Sequence, residues 1–183
     1  MGVPAGVVLA AAPPALARGL RALCTGVQSL PSVCWFPLAI LWFGLDERAI
    51  LFITVAGSVF VVASAVDVGV RQIPPLYGHV AGTLGIQGWR RYAWVLLPAG
   101  VPALVVALRQ GWTMAWRSLM AGELLYVSGG LGHLLHLGRE LYDAPLVLGV
   151  VLVTLLLGVA TDRLLFLPAE RAVARRWGFA ASP

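Results

Sequence analysis

Two long apolar segments constrain the fold of this chain more than any other feature of its sequence. They are residues 49–70 and 144–167, and each is about as long as the roughly 20 residues that a helix needs to cross a bilayer. Backbone N–H and C=O groups find no water inside hydrocarbon, so such a segment has to satisfy them within itself. The two segments therefore predict membrane-spanning α-helices.

The composition indicates the same class of protein. Hydrophobic residues make up 60% of the 183 residues, charged residues make up only 11%, and the mean hydropathy is +0.88. These values lie outside the range of soluble domains and are typical of polytopic membrane proteins. We predict an all-α polytopic membrane helix bundle of about five spans, with residues 1–183 forming a single transmembrane domain.

The basic residues and the cysteines exclude several function classes. All 13 basic residues are arginine; without lysine the chain cannot form a Walker-type phosphate loop, so we expect no nucleotide hydrolysis by that route. No basic patch is interleaved with base-stacking aromatic residues, so no nucleic-acid partner is expected. The two cysteines, Cys24 and Cys34, have no CxxC spacing and are predicted to be inert.

The first 45 residues give a weaker pattern. Residues 3–17 are apolar, but they are short for a span, they are interrupted by prolines, and they lack the basic region of a signal peptide. We expect Arg18 and Arg21 to lie in a polar turn. Residues 30–45 would then form the next span, with a kink at Pro37.

The least hydrophobic long interval is residues 73–102. Two prolines can begin a helix there, and apolar residues then recur every four positions, at Leu76, Val80 and Leu84. Gly85 follows at the position where a left-handed residue ends a helix. A second short helix would lead from Trp89 into Pro98. The pattern predicts a helix–glycine–helix hairpin that fits into a partner, or else an ordinary amphipathic loop at the membrane surface.

The spacing in this interval resembles the cytoplasmic loop of binding-protein-dependent ABC transporter permeases. The signature of that loop is Glu-Ala-Ala, three residues, Gly, nine residues, then Ile-x-Leu-Pro. With Gly85 as its glycine, the Ile, Leu and Pro positions fall without a gap on Val95, Leu97 and Pro98. The Glu-Ala-Ala positions fall on His79, Val80 and Ala81. The resemblance thus implies an ATPase-coupling loop over residues 71–97, with histidine replacing the acidic residue.

Two further runs resemble the taurine, sulfonate and nitrate (bicarbonate) branch of these permeases. Residues 31–44 contain Pro-Ser, Pro-Leu and Trp-Phe-Gly in the order of that branch, and residues 116–123 contain its Trp-Arg-Ser-x-x-Ala-x-Glu run. Family members usually carry another helix upstream, and by this alignment the chain begins inside or just before their second span.

The resemblance implies the transmembrane domain of a type I ABC importer in a bacterial inner membrane. Its partners would be a second permease copy in a homodimer, a cytoplasmic ATP-binding subunit on the coupling loop, and an extracytoplasmic solute-binding protein. It implies transport of a small anionic solute, and no catalytic, metal or cofactor site in this chain.

The apolar segment Pro98–Leu125 contains three charged residues, Arg109, Arg117 and Glu123. A charge inside a span costs at least about 2.5–3.5 kcal/mol, so such side chains normally face protein or a watery path. Two interpretations stay open: the charges satisfy partners inside the bundle, or they line a translocation path that attracts small anions.

Two other functions are compatible with the sequence. His133 and His136 have helical i, i+3 spacing and Glu140 follows, so a membrane-embedded metalloenzyme is one alternative. A non-transporting membrane scaffold or remnant is the other, suggested by the short N-terminus and by His79 in place of the acidic residue.

The distribution of arginine predicts the orientation. If residues 73–98 are cytoplasmic, nine arginines lie inside or at the inner interface: Arg18, Arg21, Arg71, Arg90, Arg91, Arg163, Arg171, Arg175 and Arg176. Only Arg48 and Arg139 would lie outside. Because basic residues favour the cytoplasmic side, the coupling loop and the tail, residues 168–183, are predicted to be cytoplasmic.

Thiol labelling of intact cells tests this orientation. A membrane-impermeant reagent should modify Glu47→Cys in the outer turn and should leave Gln87→Cys in the loop unmodified. Labelling in the opposite sense would reverse the predicted orientation.

Overall fold

The structure, a computed structural model, describes residues 1–86, 88–125 and 129–176. Gln87, the inner labelling position, and residues 177–183 of the predicted tail lie outside the described residues. The helices are α1 (Gly2–Ala11), α2 (Pro14–Gln28), α3 (Phe36–Phe43), α4 (Glu47–Arg71), α5 (Pro75–Thr83), α6 (Trp89–Arg91), α7 (Leu97–Leu125), α8 (Leu131–Glu140), α9 (Ala144–Thr161) and α10 (Leu167–Arg176). The predicted all-α class is confirmed.

Helix α4 is the centre of the bundle, with α1, α2, α3 and α7 packed around it. It begins at Asp46, whose carboxylate accepts a hydrogen bond from the Glu47 N–H at 2.7 Å and so satisfies one of the unpaired donors of the first turn. Its buried residues lie toward α1 on one side and toward α3 on the other, in clusters around Val66 and Ile53.

Small residues let α4 approach its neighbours closely. A Cβ atom on Gly6 of α1 would lie 2.5 Å from the Cβ of Val66, and a Cβ on Gly2 would lie 2.6 Å from the Cβ of Val62. On the other side of α4, Gly69 packs on the Cβ of Ala103 of α7. In a bilayer, where lipid competes for apolar surface, backbone contacts of this kind drive helix association.

The N-terminal helices break at places other than those predicted. Arg18 and Arg21 do not form a turn; they lie within α2, which bends by 97° into the segment Ser32–Phe43. The bend falls just before Pro31, because a residue that precedes proline is disfavoured in helical geometry. Pro37 does not kink a span, since it occupies the first turn of α3, where its missing N–H costs nothing.

Two π-helical turns, Tyr92–Leu96 and Asp162–Phe166, interrupt the long helices, and each lies just before a proline. Pro98 and Pro168 cannot donate to the carbonyl four residues earlier. A wider turn at this point lets the chain continue as a helix into α7 and α10 without a sharp break.

By length and composition, two stretches among the described residues can cross a membrane: Glu47–Arg71 and the continuous helical stretch Ala144–Arg176. The bent pair α2–α3 raises the number to three if it counts as one broken span. This is fewer than the five predicted. One reason is that α1 has only 10 residues, about 15 Å of helix, or half of the hydrocarbon thickness.

The glycine packing of α1 leads to a stability prediction with a matched control. Gly6→Ala should destabilise the protein by about 1–3 kcal/mol, because its methyl group would overlap Val66. Gly19→Ala, in α2, meets nothing within 4 Å and should instead stabilise it by up to about 1 kcal/mol. Thermal denaturation of the detergent-solubilised protein measures both. Equal midpoints for the two variants would contradict the predicted α1–α4 packing.

Candidate functional site

The hairpin predicted from the spacing is present. Helix α5 ends at Thr83, and Gly85 follows two residues later with a φ of 69°, in the left-handed region that favours glycine. The N–H of Ile86 donates to the carbonyl of Ala81 at 2.9 Å, and the N–H of Gly85 donates to that of Gly82 at 3.1 Å. These two bonds form a Schellman motif, which satisfies the last carbonyls of α5 and turns the chain back.

The predicted apolar stripe of the hairpin faces outward. Leu76, Val80 and Leu84 are 67%, 47% and 67% exposed, and they lie four residues apart along one face of α5. Ala81, the alanine that matches the permease signature, is fully buried, so the side of α5 about 100° from the stripe packs against the rest of the chain. The hairpin therefore presents apolar side chains that no described part of this chain covers.

The other residues of the signature lie on both sides of the turn. His79 lies on α5, between Pro75 and the turn. Val95 lies in the π-helical turn, and Leu97 and Pro98 begin α7. The hairpin is consequently joined without a loop to the helix that carries the three predicted path residues.

Arg109, one of those three residues, is paired with two carboxylates in a partly exposed cluster. Its guanidinium donates to both oxygens of Asp162 at 2.6 and 2.7 Å, and to Glu170 at 3.0 and 3.1 Å. Paired donors in a planar fork match a carboxylate well. This cluster ties α7 to the end of α9 and to α10, so the structural interpretation accounts for Arg109.

Glu123 has a structural contact of a different kind. Its Oε2 accepts a hydrogen bond from the N–H of Gly132 at 2.9 Å, in the first turn of α8. Negative charge is favourable at a helix N-terminus, where donors are unpaired. Gly132 must be small here, because a Cβ would lie 2.6 Å from the Cβ of Glu123. Glu123 therefore caps α8 and joins it to α7.

Arg117 forms no ion pair with a described carboxylate, unlike Arg109. It lines a cavity of about 240 Å³ together with Arg109 and Asp162, and a second one of about 280 Å³ on another side of the bundle. Arg117 and Glu123 form no ion pair with each other, and Glu123 is bonded to the Gly132 N–H instead.

An ion pair missed by the sequence analysis joins α2 to α4. Arg21 donates to both oxygens of Asp67 at 2.7 and 3.0 Å, and Asp67 is almost completely buried. Arg71 lies 3.9 Å from the same carboxylate. Asp67 could be placed near the end of a span from sequence, but no local pattern indicates its partner, 46 residues earlier.

The histidine segment is a helix, α8, as the spacing of His133 and His136 requires. His136 and Glu140 lie one turn apart on α8, with Nδ1 and Oε1 separated by 3.5 Å. Within the described ranges no group of three metal-ligating side chains comes together. The contact accounts for His136 as a helix-surface residue.

The fold and these contacts define a class: a polytopic helical membrane protein with an exposed hairpin between apolar helices. Residues 2–172 match the sequence profile of the binding-protein-dependent transport system inner membrane component family. The chain belongs to this family and is a multi-pass inner-membrane protein.

The proteins that are similar in sequence to this chain are described as permeases. A putative ABC transporter permease of Methanocaldococcus jannaschii is 31% identical, over 80% of this chain and 57% of that protein. A putative aliphatic sulfonates transport permease of Escherichia coli is 31% identical, over 79% and 56%. The nitrate import permease of Synechococcus elongatus is 26% identical, over 81% and 54%. The chain thus spans about half the length of the curated relatives it matches.

The hydrogen bond between Glu123 and the first turn of α8 gives a prediction about stability. Glu123→Ala removes the acceptor of the Gly132 N–H and should lower stability by about 0.5–2 kcal/mol. Glu123→Gln keeps a carbonyl acceptor, so its stability should lie between that of the parent protein and that of Glu123→Ala. The measurement is the thermal midpoint of purified protein. A Glu123→Ala variant as stable as the parent would show that the cap contributes nothing.

Proposed function

We propose that this chain acts as the transmembrane permease subunit of an ABC importer and carries a small anionic solute inward. Its family membership and the names of its relatives support this. Aliphatic sulfonate and nitrate, named for two relatives, are small anions with their charge spread over several oxygen atoms. The chain would work without an ATPase site of its own and without a cofactor, because a separate subunit supplies the energy.

The observation that carries this proposal is the α5–Gly85–α6 hairpin. An exposed apolar stripe on a short helix, held by a Schellman turn, has the form of a helix that docks in a groove of a partner. The residues that would touch the ATPase subunit, or hold the hairpin in shape for it, lie in the loop 71–97 and just after it. They are His79, Val80, Ala81, Gly85, Val95, Leu97 and Pro98. Histidine in place of the acidic residue changes the charge of this contact.

The proposed assembly contains two permease copies, a cytoplasmic ATP-binding subunit on each coupling loop, and an extracytoplasmic solute-binding protein. The arginine distribution supports a cytoplasmic coupling loop and C-terminal tail. ATP binding in the partner would move the hairpins, and through them the permease helices, between inward-open and outward-open arrangements.

Gly85 tests the proposal. Gly85→Val should leave the protein inserted and abundant, because the loop lies outside the hydrocarbon, but it should abolish most of the stimulated ATP hydrolysis. A β-branched residue resists the left-handed conformation by roughly 1–2 kcal/mol. The measurements are solute-stimulated ATP hydrolysis by the reconstituted complex and co-purification of the ATPase subunit.

Gly85→Asn is the matched control. Asparagine tolerates positive φ, so this variant should keep most of the stimulation while adding a side chain of similar size. Full stimulation with Gly85→Val would mean that residues 73–98 are only a surface loop. Loss with both variants would show that space, and not the backbone turn, decides the contact.

A further inference from the structure

Polar side chains follow one groove between α4 and α7. A cavity of about 440 Å³ has a mainly apolar lining of valine, alanine and glycine, interrupted by four polar side chains, Gln28, Ser64, Gln72 and Gln110. A second cavity, of about 280 Å³, is lined by Arg117. Gln28 and Val61 border both cavities, so the two lie next to each other along one side of the bundle, and together we call them the groove.

The groove follows one face of each helix. Its positions on α4 recur at helical spacing, at Gly57, Val61, Ser64, Val68 and Gln72, and its positions on α7 do the same, at Ala103, Ala107, Gln110, Met114 and Arg117. The α4 positions span 15 residues, or about 22 Å of helix. That length is comparable to most of the hydrocarbon thickness. Four of the ten positions, Ser64, Gln72, Gln110 and Arg117, are polar, and lipid would disfavour them.

The groove has hydrogen-bonding groups that are neutral and partly pre-arranged. The amide of Gln28 donates to the hydroxyl of Ser64 at 2.7 Å and to the carbonyl of Phe60 at 3.2 Å, which holds α2 against α4. Amides and hydroxyls can replace the hydration of an anion, but each binds it only weakly. Several weak sites in succession favour passage over retention.

The one charged side chain of the groove that has no carboxylate partner among the described residues is positive. Arg109 is bound by Asp162 and Glu170, and Arg21 is bound by Asp67, so both guanidinium groups are neutralised. Arg117, exposed at one end of the groove, has no such partner in the ranges that the structure describes. Asp162 borders a neighbouring cavity with Arg117, but both of its oxygens are held by Arg109.

The geometry points to this groove as the water-filled anion path of the permease, with Arg117 as the residue that selects for negative charge. Ser64 and Gln110 would donate hydrogen bonds to the oxygens of the solute farther along, while Gln28 holds Ser64 in place. This inference rests on the proposed function and deepens it, because it assigns a path and a charge class to the transporter. Glu123 and Arg109, by contrast, are structural residues beside the path.

Thiol-reactive probes test the groove without the ATPase or a known solute. In a background with Cys24 and Cys34 replaced by alanine, Gln110→Cys is placed in the groove and Leu152→Cys on the exposed face of α9. Full-length protein in membrane vesicles is treated with an anionic (sulfonatoethyl) or a cationic (trimethylammonioethyl) methanethiosulfonate. Each rate is divided by the rate of the same reagent with free 2-mercaptoethanol.

Gln110→Cys should react and Leu152→Cys should not. The normalised rate of the anionic reagent at Gln110→Cys should exceed that of the cationic one by about three- to tenfold, from one nearby positive charge in a partly hydrated groove. Adding Arg117→Gln should bring the ratio close to one, whereas Arg117→Lys should preserve it. Thiol counts after denaturation and a monodisperse elution profile establish that each variant is folded.

Two outcomes would overturn the inference: no reaction at Gln110→Cys, which would mean that lipid or a second copy covers the groove, or an unchanged ratio with Arg117→Gln. The proposed function fails separately. If the groove reacts and prefers the anionic reagent, but the protein neither binds nor stimulates an ATPase, the inferred path stands and the proposed importer function is wrong. If the solute stimulates ATP hydrolysis but Gln110→Cys does not react, the importer function stands and the inferred path is wrong.

Discussion

Neutralising arginine inside an apolar bundle is the constraint on which the rest of this structure depends. A guanidinium cannot lose its proton, so in a membrane it must face water, a carboxylate or an anion. Arg21 meets Asp67 and thereby joins α2 to α4, while Arg109 meets Asp162 and Glu170 and joins α7 to the C-terminal helices. The helices that the hydrophobic effect cannot hold together in lipid are thus tied in pairs by charge.

Close packing supplies what the ion pairs do not. Gly6 against Val66 seats α1 on α4, and Gly57 against Ser118 brings α4 close to α7. Where small residues meet, the helix backbones approach each other; where larger polar ones such as Gln110 follow, a groove remains between them. The same helix pair therefore provides both close backbone contacts, at Gly57 and Gly69, and the candidate path beside them.

Local features could be predicted from the sequence, and tertiary ones could not. The turn at Gly85 follows from helix-ending chemistry within six residues, and it was predicted correctly. The segment predicted as a span at residues 30–45 is too short to cross a membrane alone, and it qualifies only together with α2, from which it is bent by 97° just before Pro31. The pairing of Arg21 with Asp67 joins positions 46 residues apart and leaves no periodic signal. Glu123 was recognised as a buried-charge candidate, yet its role as a helix cap depends on where α8 begins.

Helix α7 connects the two sites that we propose, the coupling hairpin and the groove. It has 29 residues, about 44 Å of helix, and it begins directly after the π-helical turn of the hairpin. Along it lie Pro98, the Arg109 cluster, Gln110 and Arg117. A helix transmits displacement along its axis better than a loop does, so a partner that moves the hairpin would move one wall of the groove. The Arg109 cluster would then fix α7 to α10, and the opposite wall, α4, would stay with α1 and α2. Opening and closing of the groove could thus follow from sliding of two packed helices, with no change in fold.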